Sequence, residues 1–287
     1  MGIFSGLSKF GLGGLSDKKI IEDKPPEKAV REPVPEKTPE EVEKDSVFEK
    51  KMKCPVCDLM FPMLKFRPGK VKLMGSDTDL RPKYEKADPL KYDAIVCTNC
   101  GYAGLSRYFE KVTGKQIKEI KEQIYSNFKG IHHPEDMYTY DDAIARYELA
   151  LASSVVKNAK NSERAYTALK YAWVIRGKRE SIGADKSRVD EIKELYLAEL
   201  DGLQVAYEGF TLALAKETTP ICGMDGDTVM YILADLARRL KKYDEAARLV
   251  GTLIMRQGLN PRLKDKVVDL KAMIVEEKKK LNAKEEG

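Results

Sequence analysis

From about Lys115 almost to the end of the chain, apolar residues recur at helical spacing with polar residues between them. Three stretches share one signature at i, i+4 and i+7: Ala143, Tyr147 and Ala150; Ala206, Phe210 and Ala213; and, with larger residues, Ala246, Val250 and Leu253. In tetratricopeptide-type helix pairs the second helix carries this pattern, because small residues let its neighbour approach closely. Met230, Leu233, Ala234 and Ala237 give the preceding helix of the last pair one apolar side. The signatures stand 63 and 40 residues apart, not the ~34 of a regular array. The pattern therefore predicts an irregular, tetratricopeptide-like helical domain over residues 113–287, with an ordinary helical bundle as the alternative. Gly202 and Gly209 inside a long helical pattern imply close helix packing, and Trp173 within Tyr171–Ile175 implies core.

Residues 51–112 follow a different rhythm. Lys70 to Met74 alternates polar and apolar with period two and then meets Gly75-Ser76-Asp77, which predicts a strand and a turn. Tyr92 to Val96 is a second predicted strand, running directly into Cys97. Ahead of this β-rich module, residues 17–50 mix Lys, Glu and Asp with five prolines. They hold too little apolar surface to offset ordering entropy, so a disordered, extended linker is expected. Residues 1–16 form an apolar peptide with five glycines. Ile3, Leu7 and Phe10 fall at helical spacing, but glycine costs roughly 1 kcal/mol per helical position relative to alanine. A peptide unstructured by itself is expected, with docking on a partner or surface as the alternative. Gly6 stands where a myristoylation signal needs Ser or Thr.

Composition sharpens this α+β reading. Charged residues make up 34% of the 287 positions, above the usual ~25%, and no apolar run is long enough for a membrane span. No secretory signal pattern is legible, so a cytoplasmic, reducing compartment is the expectation. The net charge of +5 is unevenly placed: residues 1–50 carry −2, residues 51–130 carry +7 and residues 131–287 carry zero. In the basic stretch Arg67, Lys70, Lys72, Arg81, Lys83, Lys86 and Lys91 are interleaved with Phe66, Tyr84 and Tyr92. That combination suits a nucleic-acid surface, although a solvated lysine-rich face is commoner.

The same stretch holds four of the five cysteines. Cys54-Pro55-Val56-Cys57 and Cys97-Thr98-Asn99-Cys100 are two C-x2-C pairs 39 residues apart. Two such knuckles supply four thiolates, the tetrahedral complement of one zinc ion at ~2.3 Å per sulfur. Gly101 after the second pair, and Asp58 at the same place after the first, tolerate the left-handed turn that knuckles use. An iron–sulfur cluster, disulfides and a thioredoxin-like redox pair are the weaker alternatives, the last lacking its βαβ context. With four thiolates bound, no position is left for substrate, so the expected Zn2+ is structural, one per chain.

These residues carry a resemblance. CPVC at 54–57, Phe61, Asp77-Thr78-Asp79, Tyr84, Pro89, Tyr92 and VCTNCGYA at 96–103 resemble the bacterial family catalogued as domain of unknown function 2225. Leu80 departs mildly from the phenylalanine common in that family after the acidic triplet. The resemblance spans roughly residues 50–255. It implies a zinc-ribbon-like region followed by a tetratricopeptide-like helical half, and no activity.

Other candidates have plainer readings. Asp77 and Asp79 are expected to bond their own turn backbone, with a second cation or pairing to Arg67 or Arg81 as alternatives. His132-His133 reads as a loop and Cys222 as a packed thiol. No phosphate loop, nucleophile elbow or metalloprotease motif is present. The expectation is a non-enzymatic zinc protein whose helical domain binds a protein or peptide partner. The alternative is a nucleic-acid binder using the basic zinc module.

Overall fold

Thr38 opens the first helix. Its hydroxyl accepts from the Glu41 amide while the Glu41 carboxylate accepts from the Thr38 amide, a reciprocal cap with Pro39 at the first helical position. The helix α1 spans Pro39–Ser46 and runs straight into strand β1, Val47–Lys53, which pairs antiparallel with β2, Met60–Phe66, in unbroken register from Val47↔Phe66 to Lys53↔Met60. The computed structural model describes residues 6–15 and 37–285. The chain divides into two compact units, Met1–Lys37 and Thr38–Gly287.

Within the first unit, 3-10 turns occupy Leu7–Phe10 and Gly13–Leu15, with Phe10 largely exposed. The linker expected over 17–50 lies outside the described residues up to 36. Its last part needs correction, since residues 39–50 form α1 and the start of β1. The physical reason is a buried ion pair: Glu43 of α1 reaches Lys91 at 2.6 Å and accepts from the Tyr92 hydroxyl. A charge-rich sequence can order when its charges are satisfied inside.

The two strands expected in the module are displaced. Strands β3, Leu73–Ser76, and β4, Pro82–Tyr84, form a small hairpin whose register slips between Leu73 and Gly75. Gly75 and Ser76 thus belong to the strand, and the turn lies beyond them, with Leu80 at φ 66°. Pro89–Tyr92 is a 3-10 turn capped by Asp88, and only Ala94–Val96 is strand β5, paired antiparallel with β6, Ala103–Leu105. Among the described residues the strands form three two-stranded sheets.

The helical part comprises α2 (Gly114–Gln123), α3 (Tyr140–Val156), α4 (Asn161–Ile182), α5 (Val189–Lys216), α6 (Gly226–Arg239), α7 (Tyr243–Ile254) and α8 (Pro261–Glu285). Thr113 and Thr139 cap α2 and α3 with the same reciprocal pattern as Thr38. From α3 onward each helix packs on its neighbours in sequence, and α3 packs on β5 and β6 as well. The nine signature positions from Ala143 to Leu253 are all buried. A Cβ at Gly209 would fall 2.8 Å from the Ala165 Cβ, and one at Gly202 3.1 Å from the Ala172 Cβ, so these glycines set the approach of α5 to α4.

One core joins the two parts. Leu90, Ala94 and Leu105 from the β segment are buried with Tyr147, Leu169, Trp173, Phe210 and Ile232. The boundary expected at 112/113 is therefore not a division between independent bodies, because both sides lie in the unit Thr38–Gly287.

Candidate metal centre

Each C-x2-C pair sits in the tight turn between two short strands, and the two turns are built alike. The Cys54 amide donates to the Leu59 carbonyl at 2.9 Å and the Asp58 amide to the Cys54 carbonyl at 3.0 Å. In the second turn Cys97 and Tyr102, and Gly101 and Cys97, repeat the same bonds at 2.9 Å each. Asp58 at φ 62° and Gly101 at φ 73° occupy the left-handed position that closes each turn. The Val56 amide also points at the Cys54 sulfur, 3.4 Å away, the kind of contact that offsets thiolate charge.

The turns bring the four sulfurs within 4.8 Å of one another, with Cys54–Cys100 at 3.6 Å and Cys57–Cys97 at 3.7 Å. A disulfide needs ~2.05 Å, whereas sulfurs at the corners of a tetrahedron ~2.3 Å from its centre stand about 3.8 Å apart. The donor set fits a tetrahedral thiophilic ion. Cys54, Cys97 and Cys100 are wholly inaccessible, walled by Val56, Phe61, Ile95, Tyr102, Phe109 and Ile120. Four thiols so close cannot all ionise without a cation. Contacts with Cys54 and Cys97, then burial, push Cys100 far up, while contacts with Cys100 and Cys54 pull Cys97 down to about 2.

The supports of this centre come from both parts of the fold. The Tyr102 hydroxyl donates to the Phe109 carbonyl at 2.9 Å, and the Ala103 amide donates to Ser153 Oγ of α3 at 3.0 Å. Comparison with protein families decides the chain's relationship. A profile described as "Uncharacterized protein conserved in bacteria (DUF2225)" matches residues 47–274. The chain belongs to this family. No curated protein and no solved structure matches it.

In this DUF2225 protein the acidic triplet is a buried anchor. Asp79 is wholly inaccessible, 2.6 Å from Arg176 Nη2, and accepts from the Trp173 indole at 3.0 Å. Asp77 pairs with the same guanidinium at 3.0 Å, and Arg176 Nε meets Glu199 at 2.6 Å. Thr78 donates to Asp235 at 2.9 Å and accepts from Arg239 at 2.8 Å. The turn after β3 is thus bolted to α4 and α6, and through Arg176 to α5. Burial pushes the Asp79 carboxyl up, but Arg176, Arg239 and the indole outweigh it and hold the group below the usual carboxylate range. Asp88, paired less closely with Arg81, is pushed above that range by burial.

The expected turn bond does occur, with the Arg81 amide 3.4 Å from Asp79 Oδ1, and Asp77 pairs with Arg81 at 3.6 Å. The dominant partners, Arg176 and Arg239, lie about a hundred or more residues away and had no local signal. The only hint was Arg176 directly after the apolar Ala172–Ile175 run. No oxygen of Asp77 or Asp79 calls for a second cation.

His132 pairs with Asp142 at 2.9 Å and His133 lies edge-on to Tyr138, and neither joins the cysteines. Cys222 donates to the Ser162 carbonyl at 3.2 Å, and burial pushes its thiol up. Of the basic stretch, Arg81, Lys91 and Tyr92 are buried, and Lys83 pairs with Asp77 at 3.1 Å. Arg67, Lys70 and Lys72 remain exposed. No described helix is long and apolar enough to cross a membrane.

Proposed function

We propose that the chain is a non-catalytic zinc protein, in which Cys54, Cys57, Cys97 and Cys100 hold one structural Zn2+ and the helices present a surface to a protein or peptide partner. The observation that carries this reading is the close four-sulfur cluster, three of whose cysteines are wholly inaccessible. Zinc is favoured over other metals because four thiolates in tetrahedral array are its usual structural donor set, and such a site leaves no position for water or substrate. The sequential packing of α3 to α8 supports a tetratricopeptide-like surface, since arrays whose members contact mainly their neighbours expose extended faces. Exposed Val189, Leu197, Val205 and Leu212 on α5, with Met255 after α7, supply apolar area there.

Nucleic-acid binding by the basic module is the second reading, favoured by the exposed Arg67, Lys70 and Lys72 near the partly exposed Phe66 and Tyr84. It is the weaker, because Arg81, Lys91 and Tyr92 are committed to internal partners. Crosslinking capture with the whole chain separates the two, as the helical half shares its core with the zinc region and is not a fair bait alone. The scaffold reading expects a reproducible protein partner that survives raised salt. Retention of RNA or DNA that falls steeply with ionic strength, without a protein partner, would overturn it.

A further inference from the structure

A cavity of about 530 Å3 opens beside the metal centre, between the β1–β2 ribbon, the turn after β2 and the Pro89–Ser106 segment. Its size is that of small-molecule sites. Met63, Tyr92 and Ile95 form a buried apolar floor, and half-buried Phe66, Val71 and Tyr84 form the walls. Lys50 and Met63 are register partners, so Lys50, Met52, Met63 and Lys65 share one face of the ribbon. Lys50, Lys65 and Arg67 stand exposed on the rim, and none has a carboxylate within ion-pair distance among the described residues. Arg67 instead lies over the Phe48 ring at 5.3 Å. Of the acids at the cavity, Asp93 is engaged by Lys170 and the Ser106 hydroxyl, leaving Glu110 as the opposing charge.

This contrasts with the second large cleft, of about 420 Å3, where Arg81 meets Glu180 and Lys91 meets Glu43. There the cations are neutralised from within. At the first cavity Lys50 and Lys65 stand diagonally across the strand pair and Arg67 just beyond it, and an incoming anion would supply the missing countercharge while its apolar body covers the floor. We propose that this cavity binds an amphipathic anion, a small molecule with a carboxylate or phosphate head held by Lys50, Lys65 and Arg67 and a chain or ring lying on Met63, Ile95 and Phe66.

The test is calorimetric titration of the full-length, metal-loaded chain with dodecanoate and dodecyl phosphate below their micelle concentrations, with dodecanol and acetate as controls. Saturable one-to-one binding of the two amphipathic anions is expected, with dodecanol and acetate each at least about tenfold weaker, since head and chain both contribute. The triple variant Lys50→Gln, Lys65→Gln, Arg67→Gln removes exposed groups, so it should keep its metal content and melting temperature while losing about tenfold or more in affinity. Val71→Trp, which fills the cavity, should abolish binding. Equal binding of dodecanol and dodecanoate, undiminished binding by the triple variant, or the absence of any binding would overturn the proposal.

Discussion

Gly101 shows how much a single position contributes to the metal centre. Its φ is 73°, and a Cβ there would fall 2.5 Å from the Phe128 ring. Gly101→Ala therefore combines left-handed strain with a clash, and should destabilise the protein by ~1–3 kcal/mol in denaturant unfolding while weakening metal retention under chelator challenge. Asp79 is the second such residue. Asp79→Ala leaves Arg176 buried without its main partner, a loss of ~3–5 kcal/mol measurable by the same unfolding. Because the folded carboxyl titrates below its unfolded counterpart, its contribution is present above ~pH 4 and lost as pH falls through the lower folded value. Asp88, pushed the other way, adds a slope of opposite sign, stability falling as pH rises through its elevated value. Comparison of wild type with Asp79→Asn isolates the first effect, and the variant should lack that part of the acid-induced loss below about pH 4. An unchanged acid profile would contradict the assignment. At this scale the four cysteines were legible because their signal is local spacing. Asp77 and Asp79 look like turn residues in the sequence because Arg176 and Arg239 meet them only in three dimensions.

Among the elements, helices declared themselves and strands did not. Periodicity over ten or more residues marked the helical region from about Lys115, and Gly202 and Gly209 correctly announced close packing. The β3 strand is exposed at all four positions, so the polar and apolar alternation of Lys70 to Met74 marks no buried face and does not fix where the strand begins and ends. The Tyr92–Val96 run divides into a 3-10 turn and a three-residue strand because Asp88 and Pro89 start a capped turn. The α1 helix was hidden in a charged, proline-bearing stretch whose anchor, Glu43, binds Lys91 and Tyr92 nearly fifty residues away. Limited proteolysis tests this element directly. The resistant fragment should begin near Thr38, and Lys91→Ala, which strands Glu43 in the interior, should move its start to about residue 48. A wild-type core already beginning at residue 48 would contradict the packing of α1.

In the whole molecule, the metal centre and the helices stabilise one another. The second knuckle lies between β5 and β6, which bond to α3 through Ser153 and contribute Ala94 and Leu105 to the helical core. The acidic turn after β3 ties the same β segment to α4 and α6, and through Arg176 to α5. The change of pattern near residue 112 suggests two separable domains, but sequence periodicity carries no record of which faces meet. The shared core predicts one cooperative thermal transition for residues 38–285, lowered as a whole by chelation, since metal binding energy of order 10 kcal/mol is linked to folding. A surviving helical transition at unchanged temperature would show independent parts. The central claim is the four-cysteine zinc site, and its most direct measurement is metal analysis with X-ray absorption on chain purified without added metal. One zinc per chain with four sulfur neighbours at about 2.3 Å is expected, lost on substitution of any one of Cys54, Cys57, Cys97 or Cys100 by serine. A chain without zinc, or one carrying iron and sulfide, would contradict it.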